Sequence, residues 1–435
     1  MKRVLGIELR RSAAPAAALL IAAAGAIVLH ATPGRWSAGW MALVTVQREY
    51  LAVLSPLATA AGAWQSYREH RADVAELFAA APLPRARRVV PTLAATALAA
   101  VAAYLAALLA AAPRIASTAR YLPPAAFAVV AVGLVAMVAS IWLGLAVGRL
   151  VPALATAPAL AVVDYALLLF APHALPDGGE TAAFSPMGAS LFSDYDTVGG
   201  GVSAAQALWT AALAAAAVVL FAVRRRRNAL AALLPVAAGA VAAALVVPTG
   251  AAYARSTLDP AAQRLVCTPD APRVCVSRAH EGLLPEVVPR ARHALSLLAG
   301  TPVVQAHEDT TTFSPPTAPR PRADTALLRI TVGRDGRLAH PESLEPSLLT
   351  DVFTGPGHCG DARDFEAATA AAYWLLDREP AAGPDGTGAP DPGAVALWKG
   401  LHALPRAEAH VRVIALYRAA HKCAPTSGQL TGGGR

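Results

Sequence analysis

Apolar residues come in long blocks through the first 253 positions, and then the blocks stop. Seven stretches stand out: Ala14–His30, Glu49–Gln65, Val89–Ala112, Ala125–Val147, Ala153–Pro172, Ala204–Val223 and Ala229–Tyr253. A membrane-spanning helix needs about 20 mostly apolar residues, and the first half of the chain supplies such runs repeatedly. Arg48 and Glu49 cut into the start of the second stretch; the fifth is short and contains Asp164. The pattern predicts an all-α polytopic membrane domain of about seven transmembrane helices over residues 1–253. It predicts a separate, mostly α, disulfide-containing extracytoplasmic domain over residues 254–435, long enough to bury its own core.

Within that second domain, Leu265–Cys267 and Val274–Val276 can pair as a short hairpin. Glu281–Leu298 reads as a helix whose first half is broken up by Pro285 and Pro289. Asp309–Ala323, rich in Thr and Pro, reads as a linker or loop. Leu327–Val332 is a strand by its β-branched content. Asp361–Arg378 and Ala407–Lys422 have helical periodicity, and His410, Ile414, Tyr417 and His421 share a face of the second. Pro380–Gly393 is Gly/Pro-rich and reads as flexible, and the tail from Ala424 has little to pack.

Charge refines the picture. Hydrophobic residues are 55% of the chain and charged residues 15%, well below a soluble domain's usual charge. The net charge of +8 comes entirely from the first half. With a cytoplasmic N-terminus, the inner segments hold Lys2, Arg3, Arg10, Arg11, Arg68, Arg71, Arg85, Arg87, Arg88, Arg149 and Arg224–Arg227. The outer segments hold only Arg35, Arg48, Arg114 and Arg120. This is the positive-inside bias, so Arg224–Arg227 reads as an orientation signal and not as a nucleic-acid patch. Arg10, Arg11 and the apolar run after them resemble a signal peptide. No clear cleavage site follows, and the first span reads as retained.

An odd number of spans puts residues 254–435 outside the plasma membrane. All four cysteines, Cys267, Cys275, Cys359 and Cys423, lie there, in a compartment where disulfides persist. Four cysteines allow three pairings. Cys267 with Cys275 closes a short proline-containing loop, and Cys359 with Cys423 then ties the C-terminal helix back. The rival reading is a zinc site using His358 and His421 beside those cysteines, but the spacing fits no common zinc pattern.

The segment Ser66–Arg88 carries the most informative motif. Val74, Leu77 and Phe78 form one apolar face of a short cytoplasmic helix, Asp73 and Glu76 lie on its polar side, and Pro82 and Pro84 end it. Such a helix can lie on a membrane surface or press into a groove on a partner. Arg68, Glu69, Arg71, Glu76, Leu77 and Pro82 together resemble the R-E-x-R-x-x-x-x-E-L-x-x-x-x-P run of ABC-2-type transporter permeases. The acidic, aromatic segment Pro172–Ser203 is similar to the re-entrant or extracellular stretch of such proteins. Val274 onward (VCVSRAHEGLLPEV) resembles outer domains of actinobacterial permeases of this type. The resemblance covers about residues 1–225; a seventh span and the outer domain depart from the family's usual six. It implies that Arg71, Val74, Glu76, Leu77 and Phe78 dock on a separate cytoplasmic ABC ATPase. It also implies a homo- or heterodimer of permease subunits, set in membrane lipid.

Other chemistry is scarce. The chain has no G-x-x-x-x-G-K-[ST], H-E-x-x-H or G-x-S-x-G motif, so it cannot hydrolyse ATP through a phosphate loop and is not read as an enzyme. No cofactor or metal is expected. The tail SGQLTGGG resembles the ABC signature only superficially. His307, Glu308 and Asp309 are an acid–histidine cluster, which reads as a solvated loop. Asp164 is the singular polar residue inside a span and a functional candidate by default. The expected function is that of a transporter permease subunit; the alternative is a membrane-anchored extracytoplasmic sensor or ligand-binding protein.

Overall fold

A computed structural model describes residues 12–71, 85–170, 184–187, 191–222, 226–247, 256–313, 316–317, 322–356, 359, 363–381 and 389–431. The chain forms two units. One takes in Met1–Ala116 and Leu122–Asp259, the other Ser117–Tyr121 and Pro260–Arg435.

The first unit is helical. Its helices are α1 (Ala14–Ala31), α2 (Trp40–Glu49), α3 (Leu51–Arg71), α4 (Arg85–Ala111), α5 (Ala125–Leu150), α6 (Thr156–Phe170), α7 (Gly200–Ala222) and α8 (Leu233–Val246). Among the described residues, five helical stretches are long and apolar enough to cross a membrane: Ala14–Ala31, Val89–Arg114, Ala125–Leu150, Gly200–Ala222 and Ala229–Val246. The second and fifth expected spans are the two that differ. The second runs past Gln65 to the charged turn at Arg71 and carries Pro56 in its interior. The fifth is apolar but only 15 residues long. The seventh opens as a 3-10 helix (Arg226–Ala232) before α8 begins. The separate helix α2 was not expected. Tyr50 ends it, and the next helix starts one residue later.

Small residues set the packing. α5 lies against α3, α4 and α7; α1 pairs with α4, α7 with α8, and α3 with α6. A Cβ on Gly25 would stand 2.7 Å from Ala107 Cβ, and one on Gly239 would stand 2.1 Å from Ala212 Cβ. Lipid tails are as apolar as leucine, so helices in a bilayer gain from close van der Waals contact, which small residues permit. A two-stranded antiparallel pair, β1 (Asp196–Val198) with β2 (Ser256–Leu258), joins the segment before α7 to the segment after α8.

The second unit is mostly helical, with a four-stranded mixed sheet. The strands are β3 (Leu265–Cys267), β4 (Arg273–Ser277), β5 (Gln305–Glu308) and β8 (Thr325–Leu328), side by side in that order. β3 and β4 form the expected hairpin, with Cys267 directly opposite Cys275. β4, β5 and β8 are parallel, and a helix links the first two as such a crossover requires. A 3-10 turn (Arg278–Leu283) leads into α9 (Leu284–Leu297), so the expected helix from Glu281 divides in two. Pro285 sits in the first turn of α9, where no N–H is needed; Pro289 lies inside it. The strand expected at Leu327–Val332 lies earlier, and Val332 makes only an isolated bridge to Leu338. Within the expected linker, β6 (Thr312–Phe313) pairs with β7 (Pro316–Thr317).

Besides the single helical turn Pro260–Gln263, the other described helices of this unit are α10 (Leu344–Thr354), α11 (Phe365–Leu375), α12 (Pro392–His402) and α13 (Arg406–His421). Val274, Val276, Ala306, Ala326 and Leu328 of the sheet meet Val287, Ala291, Leu348, Leu349 and Phe353 in one core. The buried stripe of α13 is Ala409, Val413, Leu416, Tyr417 and Ala420, one step round from the expected His410–Ile414 face. The tail is anchored: Leu430 is buried in the core, and Arg412 donates to its carbonyl at 3.0 Å. Ser117–Tyr121 belongs to this unit, with the Arg278 guanidinium 5.0 Å above the Tyr121 ring.

Two disulfides, Cys267–Cys275 and Cys359–Cys423, close loops with separations of 8 and 64 residues. In the chain-entropy account they stabilise by about 2.5 and about 4 kcal/mol respectively. Mass mapping under non-reducing conditions should recover these two pairs and no free thiol. Replacing Cys359 and Cys423 together by Ser should lower the thermal midpoint more than replacing Cys267 and Cys275. An equal or reversed order would break the loop-length argument.

Candidate functional site

α3 and α5 touch backbone to backbone. A Cβ on Gly62 would stand 2.1 Å from the Ile141 carbonyl oxygen, and one on Gly144 would stand 2.0 Å from the Thr59 carbonyl oxygen. Gly148 meets Ala63 in the same way at 2.7 Å. Ser66 Oγ adds a 2.7 Å hydrogen bond to the Leu145 carbonyl. This contact carries a buried polar cluster into the apolar unit.

Asp164, near the middle of α6, is its centre. Ser55 Oγ and Thr59 Oγ1 of α3 each donate to Asp164 Oδ2 at 2.8 Å. Ser55 Oγ also stands 2.7 Å from Ser140 Oγ of α5. Each hydroxyl has one hydrogen. With Ser55 and Thr59 giving theirs to the carboxylate, the hydrogen between the two serines comes from Ser140. The carboxylate therefore polarises a chain that reaches three helices. Without it, Thr59 can turn to the Ser55 carbonyl at 3.0 Å and Ser140 to the Ala136 carbonyl at 2.9 Å. Ser55, Thr59 and Ser140 were not singled out in the sequence. The spacing of Ser55 and Thr59, four apart in an apolar run, is the signal that could have found them.

Of the expected docking residues, Arg71 closes α3; Val74, Glu76, Leu77 and Phe78 lie outside the described residues. Arg48, expected in an outer segment, is buried in α2. The four cysteines are joined in disulfides. The neighbouring His421 offers its ring to the Val352 carbonyl at 3.2 Å, and burial holds its pKa below the usual histidine value. His358 is outside the described residues. Among the described residues, no group of three His, Cys, Asp or Glu side chains converges as a metal site.

The run His307–Glu308–Asp309 does not act as a unit. Alternation along β5 sends Glu308 into the core while His307 stays half-buried. Asp309 accepts from the Thr311 backbone at 3.0 Å. Burial, with Arg322 and Arg273 nearby, lowers the His307 pKa against the opposing pull of Asp324. Glu308 Oε1 instead meets His280 Nδ1 at 2.6 Å, and Ser277 Oγ stands 3.3 Å from the same nitrogen. These residues have the composition of a hydrolytic triad but not its wiring. A triad uses the two ring nitrogens for different partners; here acid and serine share one. Ser277 also caps the turn, accepting from the His280 backbone N–H.

No family model, curated protein or solved structure matches the chain.

The α3–α5 contact and the carboxylate make separable predictions. Asp164→Leu should cost about 1.5–3 kcal/mol, the value of hydrogen bonds to a charged group, softened by the backbone fallbacks. Asp164→Asn keeps an acceptor and should cost less. Gly144→Leu forces the helices apart and should abolish a cooperative melting transition in detergent. A normal transition for Gly144→Leu would refute the close approach.

Proposed function

We propose that the chain is the permease subunit of an ABC transporter, with a separate cytoplasmic ATPase supplying the energy. Two copies, or one copy and a related subunit, enclose the path. The observation that carries this reading is the position of α3. Its C-terminal end at Arg71 leads into the segment that resembles an ATPase-docking helix. Its interior holds Ser55 and Thr59 on Asp164 of α6, and Gly62 on α5. A push on the docking segment travels along α3 into those contacts. ATP binding draws the docking helices of the dimer together and shifts α3 against α5 and α6.

Seven crossings suit this reading. The loop after α4, the strand before α7 and the strand after α8 are all expected outside. Ser117–Tyr121 groups with the chain after Asp259, and β1 pairs with β2. Were α3 and α6 both to stay on one side, Ser117–Tyr121 and the chain after Asp259 would face opposite compartments. The second unit, with its own core and two disulfides, also suits a sensor or binding module on a membrane anchor. An ATPase that copurifies with the full chain favours the permease; ligand capture with no ATPase favours the sensor.

A reporter active only outside the cytoplasm should work when fused after Arg435 and fail after Arg227. The reverse pattern would overturn the topology.

The double variant Leu77→Ala, Phe78→Ala tests the docking face. Burying such a side chain is worth about 1.5–3 kcal/mol, so losing two should weaken ATPase docking by at least about tenfold. The variant should insert and keep both disulfides, since the changes lie outside the spans. A copurifying ATPase that binds it normally would refute the docking assignment.

A further inference from the structure

Arg48, in the last turn of α2, is 1% exposed. Among the described residues its Nη1 and Nη2 have no hydrogen-bond partner. The Tyr104 hydroxyl of α4 is likewise buried and without a partner, within electrostatic reach of the guanidinium. Both groups are held in place. Gln47 Nε2 donates to the Tyr104 carbonyl at 3.2 Å, pinning α2 to α4. The Tyr104 hydroxyl rests on Gly133 of α5, where a Cβ would stand 2.3 Å from it. The adjacent acid, Glu49, is engaged elsewhere: its carboxylate takes Arg35 at 2.6 Å.

A guanidinium keeps its charge at any pH a cell meets. Its planar fork of N–H donors matches two oxygens of a carboxylate or phosphate. Glu49 is felt electrostatically but gives its hydrogen-bonding oxygen to Arg35; a buried charge with no hydrogen-bonded partner is strongly unfavourable, and ionisable groups within membrane proteins mark functional sites. We propose that Arg48 and Tyr104 form a binding site for one anionic oxyacid group, a phosphate or carboxylate, entering at the joint between α2 and α3. Two of its oxygens take the guanidinium fork, and the Tyr104 hydroxyl donates to one of them. The joint is a polar end of the helical unit: the Arg35–Glu49 pair lies there with Arg35 half-exposed, and the Tyr50 hydroxyl meets the Thr32 hydroxyl at 2.5 Å. A phospholipid headgroup and a free anion are the two sources of such a group. The site does not depend on the ATPase assignment.

The test is thermal unfolding of the full-length protein in a non-ionic detergent. Phosphatidylglycerol, phosphatidylcholine and inorganic phosphate are titrated in separately. Wild type should be stabilised by phosphatidylglycerol over phosphatidylcholine if the source is a lipid, and by inorganic phosphate if it is a free anion. Arg48→Gln should raise the half-saturating concentration at least about tenfold. Arg48→Lys, which keeps the charge and loses the fork, should fall between. Tyr104→Phe should weaken the response while leaving the ligand-free midpoint near wild type. If Arg48→Gln fails to accumulate, Tyr104→Phe decides alone. Absence of any anion response in wild type would overturn the proposal, as would variants that respond like wild type. A change in oligomeric state with an unchanged anion response would assign the guanidinium to a carboxylate of another chain and overturn it too.

Discussion

The helical unit depends on one contact, the backbone-to-backbone approach of α3 and α5. Gly62, Gly144 and Gly148 leave no room for a side chain between them. At that distance Ser66 can reach the Leu145 carbonyl and Ser55 can reach Ser140. In lipid no hydrophobic force separates helix from solvent, so surface match and hydrogen bonds must hold the bundle. Small residues are what the geometry needs at Gly25 on Ala107 and at Gly239 on Ala212 as well.

Asp164 and Arg48 both enter the same unit and are treated differently. Asp164 is met by two hydroxyls that each have another acceptor in reach, the Ser55 carbonyl for Thr59 and the Ser140 hydroxyl for Ser55. Its neighbours can therefore rearrange around it without stranding a donor. Arg48 has no such alternatives among the described residues, and a buried cation is costly to strand. One group suits a position that moves relative to its neighbours; the other suits a position that holds something.

Much of the helical unit was legible because apolar length is a local property. The stretches at Ala14, Val89, Ala125, Ala204 and Ala229 reappear as helices shifted by a few residues. What local pattern hid was decided by contacts distant in sequence. The break at Tyr50 follows Gln47, Arg48 and Glu49, and no glycine or proline marks it between Trp40 and Ser55. The sheet of the second unit was read only as a hairpin and a strand, because parallel neighbours β4, β5 and β8 are joined through long connections that leave no short-range signature. α10 was missed, and α12 starts within a Gly/Pro-rich stretch that read as flexible. There Asp391 caps the first turn and Pro392 follows it, a start signal that was present in the sequence. Leu430 is a lone apolar residue in a polar tail, and only the core shows that it has somewhere to go.

The Ser277, His280 and Glu308 cluster marks how far a list of residue types is from a site. It stands at the C-terminal ends of adjacent parallel strands, where open α/β sheets place their ligands. Yet all three side chains are buried, serine and acid converge on one ring nitrogen, and the serine hydroxyl also accepts the His280 N–H. The Glu308 carboxylate also accepts the Ser277 backbone N–H. An attacking hydroxyl must reach a substrate and pass its proton to a nitrogen the acid does not occupy. Here neither condition holds. What these bonds do accomplish is to satisfy the turn at Arg278–Leu283 and to lock β4 to β5 from within. That locking lets a sheet of three- to five-residue strands carry helices on one face. The cluster therefore belongs to the framework of the second unit.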